Sequence, residues 1–197
     1  KQWLFNMKKY FLLTVFTLVA TLWANAQNLE KMQWFNEPES YTIKNGKLEM
    51  DVPAQTDYWR IAHYGFTVDD GPFLYTTVGG EFEAKIKVSG DYKVRFDQAG
   101  MMIRKDPSDW SVIELKEPIP FLWLKAVRRL DAIELYYSFD DKEYTMMRTL
   151  WMQDNCPLMV GPVAACPDGQ GFKAVFSHFK VKHLPDQRRV EWLMNNQ

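Results

Sequence analysis

Short segments in which apolar and polar residues alternate occupy the chain from Tyr41 to Val181. The clearest lies at Phe82–Val88, where Phe, Ala, Ile and Val take turns with Glu and Lys. A period of two is typical of a β-strand with one buried face. Asn45-Gly46 separates two such segments and supplies the positive φ angles of a type I′ hairpin turn. The pattern predicts antiparallel strands that pack as a two-sheet sandwich.

The same reasoning predicts the remaining strands and the ends of the domain. Further strands are expected at 74–78, 92–96, 101–103, 110–115, 121–127, 133–139, 144–150, 158–165 and 172–181. Gly100 interrupts an apolar strand, which predicts a bulge or the close approach of another group. The segment 183–197 is compatible with a short helix or with a disordered tail. We therefore expect one sandwich domain over 27–182.

The first 26 residues have the features of a secretory signal peptide. Two lysines follow Met7, an apolar run covers 11–23, and Ala24-Asn25-Ala26 offers small residues for cleavage. The run is roughly 13 residues long, which is short of the roughly 20 that a membrane-spanning helix needs. Lys1–Asn6 precede Met7, which is the expected first residue of the protein. The expectation is an exported protein, in the periplasm or the medium, with no membrane association after cleavage.

The net charge of the chain bears on the type of partner. The formal net charge is −1 at pH 7 and becomes −4 without the leader, which holds three lysines and no acid. An acidic domain of this kind argues against nucleic acid as a partner.

Cys156 and Cys166 bracket one apolar segment, whose ends lie about 30 Å apart if it is a single strand. Bridged Cα atoms must come within about 7 Å, so two free thiols are predicted.

Several motifs resemble a family of uncharacterised bacterial and fungal domains, sometimes labelled regulation-of-enolase type. The matching motifs run in family order: Trp34-Phe35-Asn36-Glu37-Pro38, Thr56-Asp57-Tyr58-Trp59, Asp97-Gln98-Ala99-Gly100-Met101-Met102-Ile103-Arg104, Asp109-Trp110-Ser111, and Met159-Val160-Gly161 leading to Cys166-Pro167. The resemblance implies an all-β fold: an antiparallel jelly-roll sandwich of the concanavalin A-like lectin and glucanase type. It implies little about activity.

One departure from the family concerns the segment after Arg104. Family members usually place a further strand containing Trp-Leu-Lys and Glu, with its partner strand, before the Asp-Trp-Ser motif. Here Lys105–Ser108 join the two motifs directly. The missing hairpin predicts that neighbouring strands either close the gap or keep unpaired backbone groups.

The candidate ligand-binding residues combine indole rings with polar side chains. Sugars are recognised in this way, because aromatic faces contact the apolar faces of the ring and polar groups bind its hydroxyls. Asp57 and Trp59 share one side of an extended segment, although a core Trp59 and a turn-capping Asp57 are equally compatible with the sequence. The remaining candidates, for which buried structural roles are also open, are Asp97, Gln98, Arg104, Trp110 and Arg128. Trp123 is a further indole for a concave face.

Catalytic and metal-binding patterns are weaker than binding patterns. Glycosidases need two carboxylates across a sugar, and Glu49 with Asp51 is better explained as the solvated face of a strand. His63, His178 and His183 have no zinc-ligand spacing, and no cofactor is predicted. The first hypothesis is an exported, non-catalytic domain that binds a saccharide or other ligand. The alternatives are a glycoside hydrolase-like enzyme that uses Asp57 or Asp97, and a surface module for protein interaction; the oligomeric state is left open.

Overall fold

The computed structural model describes residues 28–63, 65–115, 119–153 and 155–195. The predicted signal peptide lies outside these residues. Within them, no helix is long and apolar enough to cross a membrane.

The described residues form a short 3-10 helix at Leu29–Lys31, fourteen strands and one α-helix near the end of the chain. The strands are β1 (Gln33–Phe35), β2 (Tyr41–Lys44), β3 (Lys47–Val52), β4 (Tyr58–Arg60), β5 (Thr67–Asp69), β6 (Phe73–Val78), β7 (Phe82–Gly90), β8 (Gln98–Asp106), β9 (Asp109–Leu115), β10 (Leu122–Arg129), β11 (Ala132–Ser138), β12 (Thr145–Trp151), β13 (Leu158–Ala165) and β14 (Phe172–His183), and the helix is α1 (Gln187–Asn195).

Two antiparallel sheets make the sandwich. One has five strands in the order β1-β6-β13-β8-β9, and the other has seven in the order β12-β11-β10-β7-β14-β3-β2. Among the described strands, β4 and β5 pair only with each other, as a separate hairpin. The predicted fold class, an all-β concanavalin A-like sandwich, is confirmed.

Alternating burial builds the core between the sheets. In β7 the residues Phe82, Ala84, Ile86 and Val88 are fully buried, while the residues between them are half-exposed. The matching positions of β3, β10 and β14 face the same interior. The Asn45-Gly46 turn has φ angles of 53° and 71° and joins β2 to β3, as the hairpin signal predicted.

The two central strands of the five-stranded sheet are instead buried on both faces. In β8, Met101 and Ile103 belong to the core between the sheets, whereas Met102 packs on the outer face against Val163 of β13. Tyr58 covers that outer face from the β4–β5 hairpin. A strand covered on both sides is apolar at successive positions, so simple alternation does not describe β8 and β13.

The cysteines and the segment after Arg104 are placed as follows. Cys156 precedes β13 and Cys166 follows it, and both thiols are free, as the single-strand interpretation predicted. The strands β8 and β9 pair directly through the Asp106–Asp109 turn, so the short connection brings its flanking strands together. In this arrangement β9 is the edge strand of its sheet.

Candidate functional site

A groove of about 680 Å³ opens on the outer face of the five-stranded sheet, beside the β4–β5 hairpin. The hairpin forms one wall, and the ends of β8, β9 and β13 form the floor and the other wall. The structure brings four of the sequence candidates together here: Asp57, Trp59, Gln98 and Trp110. Whether they bind a ligand stays a prediction.

Aromatic rings stand on two sides of the groove. On the hairpin, the rings of Trp59 and Phe66 lie 6.3 Å apart, and the indole Nε1–H of Trp59 donates to the carbonyl of Ala62 at 2.8 Å. From β9, Trp110 meets Tyr58 edge to face at 5.9 Å. Trp59 and Trp110 are therefore held by hydrogen bonding or ring contact, and both keep surface toward the groove.

A hydrogen-bonded pair of polar side chains lies between these rings. The Gln98 amide donates to Asp57 Oδ1 at 3.1 Å, and the backbone N–H of Tyr58 donates to the same oxygen at 2.7 Å. The Asp57 backbone N–H in turn donates to the Asp70 carboxylate at 2.8 Å. These bonds fix the direction of both side chains, so the groove presents an oriented carboxylate and amide.

Five further groove residues were missed by the sequence reasoning: Phe66, Phe96, Glu114, Arg148 and Asp168. Glu114 had a usable signal, because it shares the outward face of β9 with Trp110 through the period of two. The other four come from the hairpin, from loops and from β12, and no local pattern links them to the site. The groove therefore contains three carboxylates, of Asp57, Glu114 and Asp168, and one guanidinium.

Gly100 allows β9 to approach the floor of the groove. A Cβ atom at Gly100 would lie 1.9 Å from the carbonyl oxygen of Ile113 and 2.7 Å from the Cα of Glu114. Real Cβ contacts of that length do not occur, so only glycine permits this spacing. The close approach predicted from Gly100 is that of β9.

Arg104 was expected to line the same face, but the structure buries it beneath the hairpin. The residue is 1 % exposed, and its guanidinium donates two hydrogen bonds to the Asp69 carboxylate, at 2.5 and 2.7 Å. The guanidinium also lies 4.4 Å from the centre of the Phe35 ring. Arg104 therefore anchors the hairpin to the sheet, which is the alternative of a structural ion pair, and it does not contact the groove.

Asp97 also lies outside the groove. It is fully buried, and its Oδ2 accepts from the backbone N–H groups of Lys93 and Val94 at 2.7 and 3.0 Å. The thiol of Cys166 donates to Oδ1 at 3.0 Å. Burial, together with this bond, raises the pKa of the Cys166 thiol. Asp97 therefore holds a turn and a buried thiol, and the structure does not bring it into the groove.

Arg128 and Trp123 lie on the other sheet. Arg128 is 2 % exposed, and its guanidinium donates to the carbonyl oxygens of Cys156 and Gln153 at 2.7 and 3.0 Å. It holds the chain that enters β13, and it lines a second cavity instead of the groove. Trp123 faces outward from the seven-stranded sheet, away from the groove, and is 9 % exposed.

Metal-ligating groups do not converge in the described part of the chain. No three His, Cys, Asp or Glu side chains among those residues lie close enough together to hold a metal ion. The chemistry available in the groove is therefore that of carboxylates, one amide, one guanidinium and aromatic rings.

One known protein family matches the sequence across the sandwich. A family described as a protein of unknown function, DUF1349, matches residues 34–108 and 104–184. The chain belongs to this family. The two matched segments meet at the β8–β9 turn, where the sequence resemblance indicated a missing hairpin.

Individual proteins agree with that assignment. The chain is 29 % identical over 183 residues to Regulation of enolase protein 1 of Saccharomyces cerevisiae, and the match covers 79 % of this chain and 92 % of that protein. A crystal structure of a functionally unknown protein from the same organism superimposes with a TM-score of 0.73 and 27 % identity, over 80 % of this chain and 99 % of that one.

The chain is also structurally similar, at lower sequence identity, to part of a glycosidase. A xylan beta-1,4-xylosidase from Bacillus halodurans superimposes with a TM-score of 0.56 and 15 % identity, over 80 % of this chain and 38 % of that one. The shared part is a fold, and it corresponds to a minor portion of the xylosidase chain.

Proposed function

We propose that this protein is an exported, non-catalytic domain that binds a neutral saccharide in the groove beside the β4–β5 hairpin. The observation that carries the proposal is the meeting of Trp59, Phe66 and Trp110 with the oriented Asp57–Gln98 pair in one open groove. Aromatic walls with a few fixed polar groups are typical of small-molecule sites.

Each group has a role that its geometry supports. The rings of Trp59 and Phe66 offer an apolar surface to one face of a sugar ring, and Trp110 contacts the opposite side. The Asp57 carboxylate accepts hydrogen bonds from sugar hydroxyls, and Gln98 supports it through the 3.1 Å bond. Because these side chains are already held in place, little conformational entropy is lost when a ligand binds.

The charges in the groove favour a neutral ligand. Three carboxylates and one guanidinium line it, so an anionic sugar would meet more like charges than opposite ones. Sugar hydroxyls donate hydrogen bonds to carboxylates without that repulsion. Neutral oligosaccharides are therefore the expected class.

Isothermal titration calorimetry with neutral oligosaccharides tests the proposal. Xylo-oligosaccharides are the first ligands to try, because the sandwich also occurs within a xylosidase, and cello- and manno-oligosaccharides complete the set. We expect binding by the wild-type protein and at least a tenfold loss for Trp59→Ala. Trp151→Ala is the matched control, since Trp151 is 67 % exposed on β12 and does not line the groove.

Two results contradict the proposal. One is a well-folded protein that binds none of these saccharides. The other is undiminished binding after Trp59→Ala, which would place the ligand elsewhere.

A second candidate, glycoside hydrolysis, is favoured by one observation: the groove contains the carboxylates of Asp57, Glu114 and Asp168. A glycosidase needs one carboxylate as acid and one as base or nucleophile. Release of reducing sugar from the bound oligosaccharide, abolished by Glu114→Gln with binding retained, would support this candidate. Binding without turnover supports the non-catalytic domain.

Export is the remaining part of the proposal, and it is supported by the charged, apolar and small-residue order of the first 26 residues. Expression of the full chain followed by amino-terminal sequencing tests it. We expect the secreted or periplasmic protein to begin at Gln27. An unprocessed protein that stays in the cytoplasm would contradict export and leave the binding proposal standing.

A further inference from the structure

The outer face of the seven-stranded sheet, on the opposite side of the sandwich from the groove, concentrates positive charge. Alternation points Lys85 and Lys87 of β7 and Lys125 of β10 outward, and the register sets Lys180 of β14 opposite Lys85 and Lys85 opposite Lys125. Three lysines thus form one row across three neighbouring strands. We call this surface, defined by Lys85, Lys87, Lys125 and Lys180, the lysine face.

Lysines placed directly opposite one another destabilise a sheet, and few acids offset them here. The Lys85 ammonium pairs with Asp141 at 2.6 Å. In the described part of the chain, no carboxylate lies within ion-pair distance of Lys87, Lys125 or Lys180; the acids nearby are Glu83, Glu134 and Asp140. Glu134 accepts from the Tyr136 hydroxyl, and Asp140 caps its own turn.

Aromatic rings hold the ammonium groups of Lys87 and Lys125 instead. Lys87 Nζ lies 3.7 Å from the centre of the Phe121 ring, and Lys125 Nζ lies 4.1 Å from Tyr144 and 4.6 Å from Tyr136. Cation–π contacts of this kind attract a cation without neutralising it. Lys87 and Lys125 are thereby fixed on the sheet with their charge still available to an anion.

The charges of the lysine face also affect the pKa of His178. It occupies a bulge of β14 with a φ of 56°, and its ring centre lies 5.2 Å from that of Trp123. Burial lowers the pKa of His178, and the charges of Lys87, Lys180 and Lys85 lower it further, while Asp141 opposes them. The positive charge is therefore felt by a neighbouring group at this surface.

We propose that the lysine face is a second binding site, and that its ligand is an acidic polysaccharide carrying a carboxylate on successive sugars. Neighbouring strands are about 4.8 Å apart and Lys85 and Lys87 are about 7 Å apart along β7, so several ammonium groups lie close enough together to contact one oligosaccharide. Phe121, Tyr136 and Tyr144 are half-buried beside the lysines and supply apolar edges for the sugar rings.

Nucleic acid fits this surface less well. Proteins that bind it tightly neutralise roughly six to ten phosphates, whereas the lysine face has three ammonium groups without an ion-pair partner in the described part of the chain and a fourth that pairs with Asp141.

Calorimetry with oligogalacturonate as the probe tests this second site. We expect wild-type protein to bind it and the affinity to fall as the salt concentration rises. Lys87→Gln combined with Lys125→Gln should weaken binding at least tenfold. Lys31→Gln combined with Lys44→Gln is the control with the same charge change, because both lysines are exposed and Lys44 lies three strands from β7.

A measurement on the wild-type protein keeps the proposal testable if the double variant folds poorly. A carboxylate bound near Lys85, Lys87, Lys180 and Asp141 should raise the pKa of His178 in an NMR titration. No binding, equal binding by the double variant, an unmoved His178 pKa, or tighter binding of a single-stranded oligonucleotide of equal charge would each overturn the proposal.

Discussion

At the residue scale, the role of an outward-facing side chain depends on whether another element packs over it. Arg104 and Gln98 lie on the same outward face of β8 and differ in position by six residues along the strand. Arg104 lies beneath the β4–β5 hairpin, bound to Asp69, whereas Gln98 lies where the groove opens. Strand alternation predicts the shared face, but the covering hairpin comes from distant sequence and cannot be predicted from β8 alone.

Removal of Arg104 should therefore reduce stability. We expect Arg104→Ala to lower the free energy of unfolding by about 3–5 kcal/mol, because it breaks a buried ion pair and leaves Asp69 without its partner. Urea denaturation followed by fluorescence measures the change. Arg104→Lys keeps the charge but loses the paired geometry, so its loss should be smaller. A change below about 1 kcal/mol for Arg104→Ala would show that the ion pair does not anchor the hairpin.

The two thiols should differ in reactivity. Cys166 is fully buried, and burial together with its bond to Asp97 raises its pKa, so little reactive thiolate forms. Cys156 is half-buried and donates to the Gln153 carbonyl at 3.2 Å. Iodoacetamide treatment of the native protein, followed by mass spectrometry, should label Cys156 before Cys166. Equal labelling rates without denaturant, or a linked pair of the two peptides, would contradict this arrangement.

At the element scale, the period of two predicted strands that have one solvated face and failed for strands covered twice. The alternation of β7 and the Asn45-Gly46 turn were sufficient to predict those elements. In β8 and β13, apolar residues at successive positions are explained by the hairpin on one side and the second sheet on the other. The groove follows from the same contact between hairpin and sheet, so the lining residues contributed by the hairpin, the loops and β12 were not predictable from local sequence.

The spacing of β8 and β9 depends on Gly100. We expect Gly100→Ala to destabilise the protein by about 3 kcal/mol, the upper end for overpacking, because its Cβ would lie 1.9 Å from a backbone oxygen. Gly79→Ala is the matched control, since no atom lies within 4 Å of a Cβ built there, and it should change stability by less than about 1 kcal/mol. Thermal unfolding compares the two variants. Equal melting temperatures would mean that β9 can move away from β8.

At the scale of the whole molecule, the sandwich separates two surfaces of different chemistry. The groove on the five-stranded sheet combines indole rings with carboxylates, and the lysine face on the seven-stranded sheet combines ammonium groups with phenol and phenyl rings. The two surfaces are divided by a core whose central side chains are fully buried. The neutral saccharide proposed for the groove and the acidic saccharide proposed for the lysine face would therefore bind to separate surfaces of one domain.

The two ligands should bind independently. With oligogalacturonate at saturation, the dissociation constant of the neutral oligosaccharide should change by less than about twofold, because the two surfaces share no lining residue and lie on opposite sheets. Sequential calorimetric titrations in both orders measure this. Competition between the ligands would indicate one shared site and contradict the separation.

The most direct test of the groove as the binding site is an NMR titration of the tryptophan indole N–H signals with the neutral oligosaccharide that binds. Trp59 and Trp110 line the groove, whereas Trp123 and Trp151 lie elsewhere on the sandwich. The account predicts that the signals of Trp59 and Trp110 move with ligand concentration while those of Trp123 and Trp151 stay in place. Movement of Trp123 or Trp151 alone, with Trp59 and Trp110 unchanged, would contradict it.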